Sequence, residues 1–217
     1  MRLLCISDIH GSLENLPRVK GELEGADLVV LAGDITNFGG RQEVEGIVEE
    51  FLKLNSRLLA VPGNCDRPGV NEVLAERGIS LHGTGRVIEG IGFFGTGGSN
   101  STPFGTPQEY EEEELWGFLA RGHQMAVGAA KLVMVSHSPP HGMRVDTTRA
   151  GVHAGSRKVR EFVDAHQPDL VISGHIHEAK GTDTLGRSLL LNCGPFKAGC
   201  AKVEIGDKIG IELLEFR

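Results

Sequence analysis

Five clusters of polar residues, each at the end of a short apolar run, contain the side chains of this chain that could do chemistry. They are Asp8-Ile9-His10, Gly33-Asp34, Gly63-Asn64-Cys65-Asp66, Ser136-His137 and Gly174-His175-Ile176-His177. A histidine, aspartate or asparagine taken alone is more often a surface, core or turn residue, but five such clusters together favour metal binding. Their carboxylate, amide and imidazole groups suit borderline divalent metals such as Mn, Fe, Co, Ni or Zn.

Seven of these side chains are candidate metal ligands, which is more than one ion normally takes from nitrogen and oxygen side chains. They are Asp8, His10, Asp34, Asn64, His137, His175 and His177. Two ions about 3.5–4 Å apart that share one carboxylate would use them all. Such a pair can hold and deprotonate a bridging water and stabilise the charge of an in-line phosphoryl displacement. We therefore predict a binuclear phosphoesterase site in which Asp34, Asn64 and His137 are catalytic.

The apolar runs before the clusters are the elements that must position these side chains. The runs at 3–7, 27–33, 57–63, 131–136 and 169–174 are typical of buried strands. Helical faces follow at Val44, Ile47, Val48 and Phe51 and again after Ser156, at Val159, Phe162 and Val163. This β-α-β alternation predicts a layered α/β fold, and its strand ends open onto one crevice where the clusters converge.

A second β layer is predicted from residue 79 onwards. Residues 79–98 lack helical periodicity and indicate a pair of short strands that turn at Glu89-Gly90. Three more strands are predicted at 188–194, 201–206 and 209–216, with a hairpin turn at Gly206-Asp207-Lys208. The acidic run from Glu109 to Glu114 is interpreted as a solvated helix face. We expect two packed sheets flanked by helices, in one domain over residues 1–217.

Charge and hydropathy indicate which classes of partner and which cellular location to expect. The net charge is 22 − 29 = −7, which argues against nucleic acid or an anionic membrane as a partner and favours a small phosphoester substrate. The apolar runs are strand-sized and Met1 leads directly into a strand, so we expect a cytoplasmic protein with no membrane span. The four cysteines form no CxxC pair and are interpreted as reduced thiols, with a Cys193–Cys200 link as the weaker alternative. A homo-oligomer is left open.

The ordered motifs DxH, GD, GN, H and GHxH resemble those of the calcineurin-like metallophosphoesterase superfamily. They extend over about four fifths of the chain and are all present in order. The resemblance implies a four-layer α/β/β/α sandwich, with two divalent ions among which manganese is favoured. It also implies a division of the ligands: Asp8, His10 and His177 on one metal, Asn64, His137 and His175 on the other, and Asp34 bridging.

One residue departs from the family pattern. Many members carry histidine directly after the motif asparagine, where it is thought to protonate the leaving group, whereas this chain has Cys65. Small phosphodiesterases of the superfamily often show the same GNCD sequence. Without a positioned general acid, a leaving alkoxide is not protonated as its bond breaks. This argues against strong phosphomonoesterase activity, so we favour a phosphodiesterase. A phosphomonoesterase or nucleotide pyrophosphatase with the same site, or a non-catalytic scaffold of this fold, are the alternatives. Cys65 itself is interpreted as a packed side chain.

The segment from His141 to His153 is rich in glycine, arginine and histidine and is interpreted as a substrate-facing loop. Asn64, His141 and Arg144 are the predicted substrate-binding residues, with Arg149 as a second candidate for phosphate. A plain solvated loop is an equal alternative for this segment. Asp66 is predicted to orient either the loop around Asn64 or a residue that supports a metal ligand. Histidines outside the clusters are predicted to lie on the surface, namely His82, His123 and His166.

Overall fold

The computed structural model of the chain describes residues 1–216, which form two β-sheets flanked by helices. The strands are β1 Arg2–Ile6, β2 Leu28–Ala32, β3 Leu58–Val61, β4 Gly85–Ile88, β5 Ile91–Thr96, β6 Lys131–Ser136, β7 Leu170–Ser173, β8 Gly181–Leu185, β9 Ser188–Asn192, β10 Gly199–Ile205 and β11 Ile209–Glu215. The α-helices are α1 Lys20–Gly25, α2 Arg41–Leu54, α3 Gly69–Glu76, α4 Glu112–Ala126 and α5 Arg157–His166.

Both sheets contain a set of adjacent parallel strands. The first sheet has the order β11-β10-β1-β2-β3, and β1, β2 and β3 run parallel in it. The second has the order β4-β5-β6-β7-β9-β8, in which β5, β6, β7 and β9 are parallel. The five strands predicted before the polar clusters are β1, β2, β3, β6 and β7 and are confirmed. Their carboxyl ends carry the candidate ligands.

Alternating residues of each central strand enter two different apolar cores. In β2, Leu28 and Val30 contact the other sheet, whereas Val29 and Leu31 pack against α2 and α3. Both faces of the strand are therefore buried, which explains why it is continuously apolar rather than alternating. Helices α4 and α5 cover the outer face of the second sheet through residues such as Phe162. The predicted four-layer α/β/β/α sandwich is confirmed.

The predicted strand pair in residues 79–98 is also confirmed. It comprises β4 and β5, which turn at Glu89 and Gly90, both with positive φ. The predicted tail strands are β9, β10 and β11. Strand β8 was missed because it lies at a sheet edge, where its GTDTL sequence is half exposed and offers little apolar signal.

The acidic run is only partly a solvated helix face: Glu111, Glu113 and Glu114 are exposed, whereas Glu109 and Glu112 bond to other segments. Glu112 accepts hydrogen bonds from the Ser156 hydroxyl and from the backbone N–H groups of Arg157, at 3.0 Å, and Lys158, at 2.9 Å. It therefore caps the amino terminus of α5, where a negative charge is favoured. Glu109 turns inwards and bonds to the loop before it, at Thr102.

The histidines predicted to lie on the surface pack against aromatic side chains instead. The ring of His82 lies 4.2 Å from that of Phe118 and its Nδ1 accepts a hydrogen bond from Gly97 N–H at 2.9 Å. Burial lowers the pKa of His82 to about 4, so the ring is neutral at physiological pH. His123 and His166 both contact Phe162, with ring centroids 5.8 and 4.3 Å away.

The four cysteines are free thiols, as predicted. Within residues 1–216, no helix has the length and apolar character that a membrane span requires.

Replacing Ser156 with alanine should lower the free energy of unfolding by about 1 kcal/mol. The reason is that the Ser156 hydroxyl accepts from Val159 N–H at 3.1 Å and donates to Glu112, so both groups lose a partner. Urea unfolding measures the change. The control is Ser56→Ala at an exposed position, where a change within about 0.5 kcal/mol is expected. Equal effects of the two substitutions would show that the cap is not stabilising.

Candidate metal centre

Four of the seven predicted ligands have left-handed backbone, which is uncommon for residues other than glycine. They are Asp8, His10, Asp34 and His175, with φ between 47° and 67°. Backbone hydrogen bonds hold the first two in place: Asp8 N–H donates to Gly33 O at 3.0 Å and His10 N–H donates to Asp34 O at 2.9 Å. The loop after β1 is thereby joined to the loop after β2, and this support balances a strain on the order of 1 kcal/mol per residue.

The first group of possible ligands consists of Asp8, His10 and His177. Their ligand atoms all lie within 4.8 Å of one another. His177 Nε2 is 3.3 Å from Asp8 Oδ1 and 3.2 Å from His10 Nε2. An ion between these atoms would replace the contact of the two ring nitrogens with two nitrogen–metal bonds.

A second group surrounds His137, which is fully buried. Its Nε2 lies 3.0 Å from Asn64 Oδ1, and its ring centroid is 5.2 Å from that of His175. The His137 Nδ1 lies 2.8 Å from Ala32 O, so Nδ1 carries a hydrogen and Nε2 is the atom available to a metal. The structure therefore brings Asn64, His137 and His175 together.

Asp34 lies between the two groups. Its Oδ2 is 3.7 Å from His10 Nε2 and its Oδ1 is 3.4 Å from His137 Nε2. Oδ1 also accepts a hydrogen bond from Cys65 N–H at 2.8 Å, which fixes the rotation of the carboxylate. Each oxygen of Asp34 therefore faces a different set of ligands.

The side chain of Asn64 is oriented by residues that the sequence did not single out. Its Nδ2 donates to Thr106 Oγ1 at 3.0 Å, and the Thr106 hydroxyl donates to Glu109 at 2.7 Å. Because Nδ2 is occupied in this way, Oδ1 must point towards His137. Glu109 comes from the acidic run, and only its contacts distinguish it from the neighbouring glutamates.

Asp66 joins the two loops that carry Asp34 and Asn64, as predicted. It is completely buried. Its carboxylate accepts hydrogen bonds from Ile35 N–H at 3.1 Å, from Thr36 N–H and hydroxyl at 2.7 Å, and from Gly63 N–H at 2.7 Å. Burial and the nearby Asp34 charge raise the pKa of Asp66 to about 6.

Electrostatic effects shift the pKa values of the two buried histidines in opposite directions. Burial and the neighbouring His137 together lower the pKa of His175 to about 4, so His175 is neutral at physiological pH. For His137, burial is outweighed by the Asp34 charge and hydrogen bond, which raise the pKa to about 9. The same pairing outweighs burial for Asp34 and holds the pKa of its carboxyl below the usual range. A proton on His137 must therefore be displaced before its Nε2 can bind a metal.

Two glycines allow these loops to approach one another. A β-carbon on Gly63 would lie 2.0 Å from Asp34 N and Oδ1, and one on Gly174 would lie 1.8 Å from the Ser7 hydroxyl and 2.5 Å from Asp8 Oδ2. All of these distances are far shorter than real contacts of a β-carbon. Gly63 is therefore required by the position of Asp34, and Gly174 by those of Ser7 and Asp8.

The Cys65 thiol also lies close to this centre, with Sγ within 4.8 Å of ligand atoms of His10 and Asp34. Burial, together with the Asp34 charge, raises the pKa of this thiol far above its usual value. Without a metal a thiolate is therefore unfavourable here, which argues against Cys65 as a nucleophile. A bound ion would itself favour the thiolate, so His10, Asp34 and Cys65 form a further group that could hold a metal.

The candidate ligands His175 and His177 open onto a cleft of about 700 Å³. It is lined by residues 100–104, by Thr148 and residues 152–155, and by His141, a predicted substrate-binding residue. Arg144 does not lie in this cleft: it lines a separate depression with Thr182, and its backbone N–H donates to Asp183. The cleft is instead lined by Arg157, which the sequence did not suggest because it belongs to the first turn of α5. Arg149 is exposed beside the cleft.

The calcineurin-like phosphoesterase family model matches residues 1–179. Among curated proteins, the chain is 34% identical to the uncharacterized protein MJ1162 of Methanocaldococcus jannaschii over 201 residues, which is 90% of this chain and 88% of that protein. It is 40% identical to phosphodiesterase YfcE of Escherichia coli over 75 residues, which is 30% of this chain and 40% of YfcE.

Solved structures share the fold at low sequence identity. The protein TT1561 of Thermus thermophilus superposes with a TM-score of 0.74 at 18% identity, and the match covers 98% of both chains. An archaeal phosphodiesterase superposes with a TM-score of 0.52 at 17% identity, and the match covers 99% of this chain and 100% of that one.

Replacing Gly174 with alanine should weaken metal binding by about 10–100-fold, because the new methyl group must displace Ser7 or Asp8. The control is Gly46→Ala in the exposed middle of α2, where the added carbon meets nothing within 4 Å. That control should leave metal binding unchanged and raise the free energy of unfolding by up to about 1 kcal/mol. Metal titration of the stripped protein measures the affinity, and urea unfolding measures the stability. Wild-type affinity in Gly174→Ala would contradict the packing described.

Metal affinity should rise with pH up to about 9, the pKa of His137 in the metal-free protein. Below that pH the ring is protonated, and an ion must displace its proton, so affinity should gain about tenfold per pH unit for each proton displaced. Competition with a chelating dye in buffers of increasing pH measures the slope. An affinity independent of pH would show that His137 is not a ligand.

Proposed function

We propose that this chain, which belongs to the calcineurin-like phosphoesterase family, hydrolyses small phosphodiesters with two divalent metal ions. The family and a relative named phosphodiesterase make it a metal-dependent phosphoesterase. The number of ions and the preference for diesters are more specific than this general activity, and each is supported by a separate observation.

The position of Asp34 is the observation that supports two ions. One of its oxygens faces His10 at 3.7 Å and the other faces His137 at 3.4 Å. A carboxylate in that position can give one oxygen to each of two ions. The remaining ligands then divide into Asp8, His10 and His177 on one side and Asn64, His137 and His175 on the other.

When bound, two divalent ions supply a water-derived nucleophile at neutral pH and neutralise charge on the phosphoryl oxygens. The chain's own residues prepare the site for them. His175 is already neutral and Asp34 is ionised, so neither must change its charge to become a ligand. Asn64 is held by Thr106, and Asp8 accepts from His175 N–H at 3.2 Å, so both are oriented in advance.

Charge favours diesters. Two divalent ions, two aspartates and one hydroxide leave about +1, which suits a singly charged diester. Cys65 supplies no imidazole next to Asn64, so protonation of a leaving group falls to another residue. The similarity to phosphodiesterase YfcE supports the same preference.

Several further predictions remain part of this proposal. Manganese is the favoured ion, the substrate is small, and nucleic acid and membranes are not partners. The protein is cytoplasmic, residues 1–217 form one domain, and a homo-oligomer is left open.

Metal-stripped protein titrated with Mn²⁺, Ni²⁺ or Zn²⁺ should hydrolyse a bis-aryl phosphate faster than the matching mono-aryl phosphate. Turnover should reach its maximum at two ions bound per chain, measured by elemental analysis of the same samples. Faster monoester hydrolysis would favour the phosphomonoesterase alternative. Two bound ions without turnover of either ester would favour a scaffold.

Asp34→Asn should lower diester kcat/KM by about 100-fold or more, because an amide has only one oxygen and cannot bridge two ions with a negative charge. The matched control is Asp207→Asn in the exposed β10–β11 turn, where wild-type turnover is expected. Steady-state kinetics at saturating metal give both values. Intact hydrolysis in Asp34→Asn would exclude Asp34 from the reaction.

A further inference from the structure

A buried carboxylate lies behind the wall of the cleft. Asp146 is completely buried and accepts hydrogen bonds from the backbone N–H groups of Gly142 at 3.1 Å, Met143 at 2.8 Å and Gly155 at 3.1 Å. These bonds close the loop between β6 and α5 on itself. The carboxylate belongs to none of the metal-ligand groups described above.

Asp146 holds the ring of His153. His153 Nδ1 lies 2.6 Å from Asp146 Oδ1, so Nδ1 carries a hydrogen that it donates to the carboxylate. The other ring nitrogen, Nε2, is then the free one. His153 lines the cleft together with the candidate ligands His175 and His177, and 41% of its side chain is exposed. A substrate in the cleft can therefore reach this ring.

The proposed reaction needs a proton donor that the metal ligands do not supply. Cleavage of a phosphodiester releases an alkoxide or phenoxide, and a poor leaving group of this kind requires protonation as the P–O bond breaks. Each imidazole among the candidate ligands gives one ring nitrogen to a metal and cannot hold an acidic proton there. The donor must come from elsewhere in the cleft.

Two carboxylates that line the cleft are already engaged, and a second histidine is held less firmly than His153. Both oxygens of Glu112 cap α5, and Glu178 accepts from Arg149 N–H at 3.0 Å. His141 Nδ1 lies 3.2 Å from the Gly155 carbonyl and 3.8 Å from Asp146, so its interaction with the carboxylate is weaker than that of His153. Arg157 does not lose its proton in proteins.

We propose that His153, held by Asp146, is the general acid that protonates the leaving group. As the P–O bond breaks, the Nε2 proton of the His153 imidazolium passes to the leaving oxygen, and the bonding electrons stay on that oxygen. The ring becomes neutral while Asp146 keeps its charge and its hydrogen bond to Nδ1, and His153 regains a proton from water. This inference rests on the proposed diesterase function.

The test compares two leaving groups in wild type and His153→Gln. With methyl phenyl phosphate, whose phenolate needs a proton, kcat should fall by about 100-fold or more. With methyl p-nitrophenyl phosphate, whose leaving group departs without one, kcat should change by less than about threefold, since the acid is not needed. Bound metal should stay at the wild-type level. An equal loss on both substrates, or no loss on either, would overturn the assignment.

Two further variants test whether His153 or another residue protonates the leaving group. His141→Gln should lower kcat/KM for both esters by the same factor, and a loss confined to the phenyl ester would transfer the role to His141. Asp146→Asn, if folded by circular dichroism, should show the same dependence on leaving group as His153→Gln. Wild-type protein without metal-dependent turnover of either diester would overturn the proposed function itself, whereas an active wild type with a uniform loss in His153→Gln overturns only this inference.

Discussion

The site depends on the packing of two β-sheets against each other through their apolar inner faces. Asp8, Asp34 and Asn64 follow strands of the first sheet, whereas His137 and His175 follow strands of the second. Neither sheet carries a complete ligand set. Because a close-packed core fixes the distance between the sheets, it also fixes the distances between ligands. Val30 and Val133 belong to this core, and their burial helps to hold the candidate ligands of the two sheets together.

Hydrogen bonds transmit this packing to the side chains. The bond from His137 Nδ1 to Ala32 O crosses from one sheet to the other and orients the ring. Within the first sheet, Asp66 ties the loop after β2 to the loop after β3 through buried donors. The left-handed residues at the strand ends persist because these bonds hold them, and glycines such as Gly174 leave the room they need.

The sequence predicted every described strand except β8, the layers and the set of side chains that converge, because buried strands and their polar ends form local patterns. It did not predict what those side chains contact. Glu109 and Glu112 look like their acidic neighbours, and only the fold brings Thr106 and Ser156 to them. The positions of loop side chains were hardest to predict, because a loop's direction depends on distant contacts. Arg144, for example, lines a separate depression and not the cleft.

The placement of the ligands on opposite sheets makes any bound ion a cross-link between distant parts of the chain. Asp8 and His177, which lie side by side, are separated by most of the sequence. Folding and metal occupancy are then coupled by mass action, and free metal at 100 times its dissociation constant would add about 2.7 kcal/mol of stability per site. The protein's lifetime in a cell would thus follow metal supply, so scarcity would reduce its abundance as well as its activity.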